Sequence, residues 1–455
     1  MAAFTPPRAT ETRSERGFTL TELLVATLLS LVVMGAVASL FGLFGRTVRL
    51  SQATVDMSAL MRTAAWQLRQ DLTGVTCEVI PRLQPETNSG YFELLEGPAH
   101  DASYALDGQN QPTGNLEADT DDILLFTTHS LAGPFVGRYG TTTMESPYAE
   151  VAWFCRPASD QPIAGTTLYS LYRRQLLVTS YLGRTDLSDN ALPLTIDRGT
   201  YDFSLRTAVI EGQGTVLLPN SLGDLTKREH RFMRSGYSYR TEDGLSRTVP
   251  LQPFPFAFPL EPTTGHAIAD AALEESARGW EHIILPNVLA FDVRVYDPQA
   301  VPREIGNEWL LPGDPGYTTP ADAGGPIGAY VDLGRSGAAA TAPTAPFPPT
   351  GQSAFQSGGV QVTDAPRSLS LPVATYDTWS HHYEFNGVDD DGDGVIDEGS
   401  NGFDADGDGW PEYSGDIETS APYPVPLRGI EVRIRCYEPT SKQIRQITIR
   451  HSFVK

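Results

Sequence analysis

"RGFTLTELLVATLLSLVVMG", residues Arg16–Gly35, decides how the rest of the chain is read. No charged residue occurs between Leu23 and Gly45, yet a carboxylate, Glu22, stands at the front of this run. As a helix the run spans roughly 34 Å, enough to cross a bilayer. Residues 1–17 are polar, with Arg8, Arg13 and Arg16 set among Glu11 and Glu15. A secretory signal places its apolar block before the cleavage site. Here the polar leader comes first and the apolar block follows Gly17, so the order is not that of a secretory signal. A charged side chain in lipid costs roughly 2.5–3.5 kcal/mol at the membrane centre and less near an interface. Glu22 therefore either snorkels to the headgroups or meets an opposite charge.

Gly17-Phe18-Thr19-Leu20-Thr21-Glu22 and the apolar run behind it resemble the prepilin signature of type IV pilins and type II secretion pseudopilins. The resemblance implies cleavage between Gly17 and Phe18 by a membrane peptidase, N-methylation of Phe18, and Glu22 as the fifth residue of the mature chain. It also implies an assembly role for Glu22. In that family the acid meets the terminal amine of a neighbouring subunit as a filament grows, so assembly relieves the cost of placing it in lipid. The implied partners are other minor pseudopilins or pilins, the prepilin peptidase/methyltransferase and inner-membrane lipid. The implied location is the inner (cell) membrane, crossed once, with the C-terminal domain in the periplasm.

The helix pattern outlasts the membrane. Leu50, Ala53, Met57, Leu60, Ala64 and Leu68 recur at spacings of three and four, an amphipathic stripe. No proline interrupts before Pro81, and Gly74 offers a stop. Small residues Gly35, Ala36, Ser39 and Gly42 suit close helix contact. The expected organisation is a leader over 1–17, a helix over 18–73 with its membrane part at about 18–45, and a β-rich domain over 74–455.

Beyond residue 75 the period changes to two. Ile123–Phe126 reads as a buried strand; 151–155 and 167–178 read as partners; 289–295 alternates. Ile430, Val432, Ile434 and Cys436, a turn at Pro439-Thr440-Ser441, and Ile447, Ile449, His451 and Phe453 read as a C-terminal hairpin. Stretches 102–121, 186–277 and 298–380, rich in Gly, Pro, Ala, Ser and Thr, read as long surface insertions. With "SLYRRQLLV" (Ser170–Val178), "VLAFDVRVYDP" (Val288–Pro298) and the closing "LRGIEVRIRCYEP…RQITIRHSFV", the layout resembles the J-type minor pseudopilin of type II secretion, or the related W-type minor pilin. The fold class expected is α+β: a long N-terminal helix packed on an antiparallel pilin-like sheet with long insertions.

"NGVDDDGDGVIDEGSNGFDADGDGWPE", Asn386–Glu412, contains no Lys or Arg. Oxygen ligands at alternate positions, then a glycine for a sharp turn, are what a Ca²⁺ loop needs. Asp389, Asp391 and Asp393 followed by Gly394, with Asp397 further on, meet that pattern. Asp404, Asp406 and Asp408 followed by Gly409, with Glu412 further on, repeat it. The segment resembles the aspartate-rich calcium repeats of thrombospondin type 3 and dockerins. It departs from the EF-hand, because Ser400 and Gly415 stand where a bidentate glutamate would; Glu398 is a substitute in the first copy. The competing reading is a solvated acidic loop.

A net charge of −23 over 455 residues disfavours nucleic acid as a partner. Cys77, Cys155 and Cys436 lack metal-type spacing and read as buried small residues or at most one bridge. His381-His382 is a poor chelate, since neighbours on a strand face opposite ways. No H-E-x-x-H, G-x-S-x-G, P-loop or dinucleotide fingerprint is present, so the expectation is no enzyme. The expected function is a minor pseudopilin-like structural protein joining a tip complex that primes a secretion pseudopilus or pilus. The alternatives are an adhesive or cargo-binding minor pilin and a membrane-anchored calcium-dependent binding domain.

Overall fold

The structure, a computed structural model, describes residues 19–80, 83, 87–97, 119–139, 142–163, 166–179, 202–210, 214–226, 228–233, 237–240, 246–249, 281–305, 308–312, 317, 328–333, 359–360, 373–378 and 426–454. Two compact units divide the chain, residues 1–56 and 57–455. Helix α1, Leu20–Thr73, contributes to both.

In the first unit, residues 19–49 are exposed without exception, though most are apolar. In the second, Met57, Met61, Ala64, Ala65, Leu68 and Leu72 are buried. The expected stripe is turned by one residue: Leu60 is 47% exposed whereas Met61 is 3%. At 3.6 residues per turn Met57, Met61, Ala64, Leu68 and Leu72 line one face, and Leu60 falls to its side.

The main sheet of the second unit is antiparallel throughout. Its strands are β1 (Phe92–Glu96), β2 (Ile123–His129), β3 (Tyr148–Pro157), β4 (Tyr169–Val178), β5 (Glu281–Asp297), β6 (Ala329–Val331), β7 (Gly359–Val360), β8 (Val373–Asp377), β9 (Gly429–Glu438) and β10 (Gln443–Ser452). They lie in the order β7-β8-β1-β2-β3-β4-β5-β9-β10, with β6 paired to β5. The α+β layout of a long N-terminal apolar helix and a large antiparallel sheet is therefore the one expected. Strand β5 changes partner along its length, from β4 to β9, through register shifts around Pro286-Asn287. Asn287 sits there at φ 55°, a backbone state asparagine tolerates.

Two apolar layers sandwich the sheet. One joins the helix side chains to Phe92, Leu94, Leu124, Phe126, Val151, Trp153, Phe291 and Val293 among others. The second joins Tyr91, Leu95, Ile123, Leu125, Ala152 and Phe154 to Leu222, Leu225 and Phe232. Because both faces are covered, β2 and β3 are buried on successive residues: Val151, Trp153 and Cys155 enter one layer while Ala152 and Phe154 enter the other. Leu222, Leu225 and Phe232 also correct the reading of 186–277 as surface insertion. Residues 202–233 include a buried layer, and β8, within the supposed insertion 298–380, pairs directly with β1.

Buried charges tie these parts together. The Asp71 carboxylate, on the last turn of α1, accepts from Trp153 Nε1 at 2.9 Å and from Arg173 Nε at 2.8 Å. Arg231, fully buried, donates from Nη1 to Glu93 Oε2 at 2.7 Å and to Asp377 Oδ2 at 2.8 Å. Its guanidinium lies 3.9 Å from the centroid of the Tyr91 ring. The C-terminal hairpin forms as expected, in register from Gly429↔Ser452 to Glu438↔Gln443, with Lys442 at φ 56° in its turn. Cys77, Cys155 and Cys436 are buried free thiols.

Candidate functional site

The site suggested by the sequence is the start of α1. Gly17 and Phe18, the cleavage pair, lie outside the described residues. So do Asp389, Asp391, Asp393, Asp397, Glu398, Asp404, Asp406, Asp408 and Glu412, the calcium ligand set, and His381-His382. Glu22 is described, and its surroundings explain its tolerance in the apolar run.

The first turn of a helix leaves backbone N–H groups without partners. Thr19 and Glu22 satisfy two of them reciprocally. The Glu22 N–H donates to Thr19 Oγ1 at 3.3 Å, and the Thr19 N–H donates to Glu22 Oε2 at 2.9 Å. The Thr19 hydroxyl also donates to Oε2 at 2.9 Å. This is a capping box, with Thr19 as N-cap and Glu22 three residues on. The positive end of the helix dipole adds further stabilisation of an acid here. Both donors use one carboxylate oxygen; Oε1 has no hydrogen-bond partner among the described residues. The Thr-x-x-Glu spacing is itself a sequence signal for this cap, and it gives Thr19 a role beside that of Glu22.

Behind Glu22 the helix is prepared for an apolar setting. The Thr27 and Thr47 hydroxyls donate to the carbonyls of Leu24 and Leu43, at 2.9 and 3.0 Å, so neither needs water. Ala26, Thr27 and Ser30 line a shallow groove running back from Glu22, bordered by Leu23, Leu31 and Met34. A Cβ on Gly35 or Gly42 would meet nothing within 4 Å. These small residues let another helix backbone approach closely. The helix is long and apolar enough to cross a membrane.

Residues 12–38 match the family described as the prokaryotic N-terminal methylation motif. The chain matches no curated protein and no solved structure. Continued by an exposed helix long and apolar enough to cross a membrane, the motif supports a type IV pilin-like protein with a single N-terminal anchor helix.

Proposed function

We propose that the chain is a minor pseudopilin-like subunit that joins a tip complex and primes assembly of a type II secretion pseudopilus or a type IV pilus. The observation that carries this reading is the methylation motif over residues 12–38 with Glu22 at its centre. Prepilin peptidase cuts between Gly17 and Phe18 and Phe18 is methylated. The sheet domain then stands in the periplasm, held by α1 in the inner membrane. In the unassembled chain the capping box neutralises part of the cost of Glu22. The second oxygen, Oε1, is left for the terminal amine of a neighbouring subunit. The function is structural rather than enzymatic.

Mass spectrometry of the purified protein tests the processing step: the expected chain starts at methylated Phe18, and an intact 1–17 leader refutes it. Incorporation tests the assembly step. Glu22→Gln and Glu22→Ala variants, made in the processed full chain, are expected to drop out of filaments and of co-purified complexes with sibling pilins. Undiminished incorporation removes the proposed role.

The Asp-rich segment 386–412 is proposed to bind Ca²⁺ through Asp389, Asp391, Asp393 and Asp397 in one copy, with Glu398 in place of the missing bidentate glutamate, and through Asp404, Asp406, Asp408 and Glu412 in the other. Neutralised by calcium, these carboxylates close a compact loop; without it they repel and extend. Protection of this segment from protease by millimolar Ca²⁺, lost when the aspartates become asparagines, is the expected result. Identical cleavage with Ca²⁺ and with chelator defeats it.

A further inference from the structure

A second group of carboxylates lies inside the sheet domain, far along the chain from the Asp-rich repeats. Glu96 ends β1; Asp119 and Asp122 belong to the segment entering β2. Glu96 is 3% exposed, and Asp119 and Asp122 are 0%. One carboxylate oxygen from each converges within 4.8 Å of the others.

Few donors answer them. The Val293 N–H donates to Asp122 Oδ2 at 2.6 Å, and the Leu333 N–H reaches Glu96 Oε2 at 3.3 Å. Glu96 Oε1, Asp122 Oδ1 and both carboxylate oxygens of Asp119 are buried with no hydrogen-bond partner among the described residues. The Asp119 backbone is fixed nonetheless, its carbonyl accepting from the Phe291 N–H at 2.8 Å. The side chain is thus held against β5 with two naked oxygens.

Nor does a cation among the described residues balance them. Arg294, 1% exposed on β5, is engaged by Asp292 at 2.9 Å and by Asp332 at 3.0 Å. The strongest charges acting on Glu96 are those of Asp122, Asp332, Asp292 and Asp121, all carboxylates. Burial first, and then this mutual repulsion, holds the carboxyls of Glu96, Asp119 and Asp122 well above their usual range. A Cβ on Gly97 would stand 2.1 Å from Asp121 Cγ, so the glycine is what admits one more carboxylate beside Glu96.

Several buried carboxylates with orphaned oxygens and no cation are costly unless a charge is supplied from outside. Hard oxygen donors of this kind suit Ca²⁺, whose ligand oxygens lie about 2.3–2.6 Å from the ion, so that opposite ligands stand about 5 Å apart. We infer that Glu96, Asp119 and Asp122 hold a structural Ca²⁺ ion that clamps β1 and the entry to β2 against β5. The site is independent of the repeat segment and of the pilin reading. Bound there, the ion joins strands whose pairing the chain must otherwise achieve against repulsion.

The test uses the full chain in detergent, stripped with EGTA and titrated with CaCl₂ at pH 7 in weak buffer. Uptake is measured by equilibrium dialysis. The wild type is expected to bind one more equivalent than a Glu96→Gln, Asp119→Asn, Asp122→Asn variant. A chain whose Asp389, Asp391, Asp393, Asp404, Asp406 and Asp408 are asparagine is expected to keep it. In the chain whose repeat aspartates are asparagine, Ca²⁺ is expected to raise the melting temperature, and adding the buried substitutions is expected to abolish that rise; a merely structural trio would leave the rise in place. Should the triple variant fail to fold, Asp119→Asn alone is expected to weaken the site by at least about tenfold. Equal stoichiometry and affinity in wild type and buried variants overturns the assignment.

Discussion

Arg173 grips Asp71 with two hydrogen bonds, Nε to Oδ2 at 2.8 Å and Nη2 to Oδ1 at 2.9 Å, and both side chains are 5% exposed. The last turn of α1 carries no basic residue of its own. An acid at a helix C-terminus is opposed by the helix dipole, so the cation must come from elsewhere, and β4 supplies it. Trp153 Nε1 completes the set at 2.9 Å, and the Thr128 hydroxyl donates to the Asp71 carbonyl at 2.7 Å. The end of the helix is thereby fixed to β2, β3 and β4 by polar contacts inside an apolar layer.

Arg173→Met leaves the Asp71 carboxylate buried without its cation. The expected loss is about 3–5 kcal/mol. Adding Asp71→Leu removes the stranded charge and is expected to recover much of it, with Trp153 Nε1 then lacking its acceptor. Denaturant unfolding followed by tryptophan fluorescence measures both; a single-variant loss under about 1 kcal/mol contradicts the pairing argument.

Glu150 gives the domain a pH dependence of stated sign. It is fully buried, and accepts from Tyr91 Oη at 2.8 Å, the Phe232 N–H at 3.0 Å and Ser204 Oγ at 2.7 Å. Burial outweighs these donors and pushes its carboxyl up to about 7 from the ordinary 4.5. Between those values the native state keeps a proton that the unfolded chain has lost. Its contribution to stability is therefore complete below about pH 4.5, falls as pH rises to about 7, and is then level, a change of about 3 kcal/mol. Glu150→Gln is expected to remove this slope. Unfolding free energies of wild type and variant, measured from pH 4.5 to 8, should diverge; parallel curves would dismiss the effect.

Two glycines of the same helix region separate folding from assembly. A Cβ at Gly74 would stand 2.2 Å from the His129 carbonyl oxygen and 2.4 Å from Thr128 Oγ1, and the carbonyl belongs to backbone that cannot swing aside. Gly74→Ala is expected to cost about 1–3 kcal/mol. Gly35→Ala meets nothing within 4 Å and is expected to leave the melting temperature unchanged while weakening incorporation into filaments. Normal incorporation of Gly35→Ala would remove Gly35 from the packing surface.

The capping box predicts a role for Thr19 distinct from that of Glu22. Thr19→Val keeps the shape and deletes the hydroxyl, at a cost to the helix start of about 0.5–2 kcal/mol, whereas Thr19→Ser is expected to be nearly neutral. Amide hydrogen exchange at Leu20–Leu23 in detergent reports the fraying. Equal exchange in Thr19→Val and Thr19→Ser would mean that the cap is not formed in the membrane.

The buried polar network could not be read from the chain, although each member was in view. Arg231 sits 138 residues from Glu93 and 146 from Asp377, and nothing local distinguishes it from a surface arginine. Its segment lay in a stretch whose Gly, Pro and Ser content reads as loop. Nothing local marks Glu96, Asp119 and Asp122 either, since acids beside a strand are ordinarily solvated. The Asp-rich repeat differs in that its carboxylates lie close together in sequence.

Local physics and long-range physics divide this protein. An uninterrupted apolar run, a Thr-x-x-Glu start and a glycine stop dictate a long helix from neighbours a few residues apart, and the final hairpin follows from two alternating runs about a turn. Those features, with the methylation motif, were settled by the chain alone. The insertion of β8 beside β1, the second apolar layer over β2 and β3, and the convergence of carboxylates at Glu96 belong to the tertiary structure. They depend on which distant segments share a buried volume, and no local period or propensity carries that information.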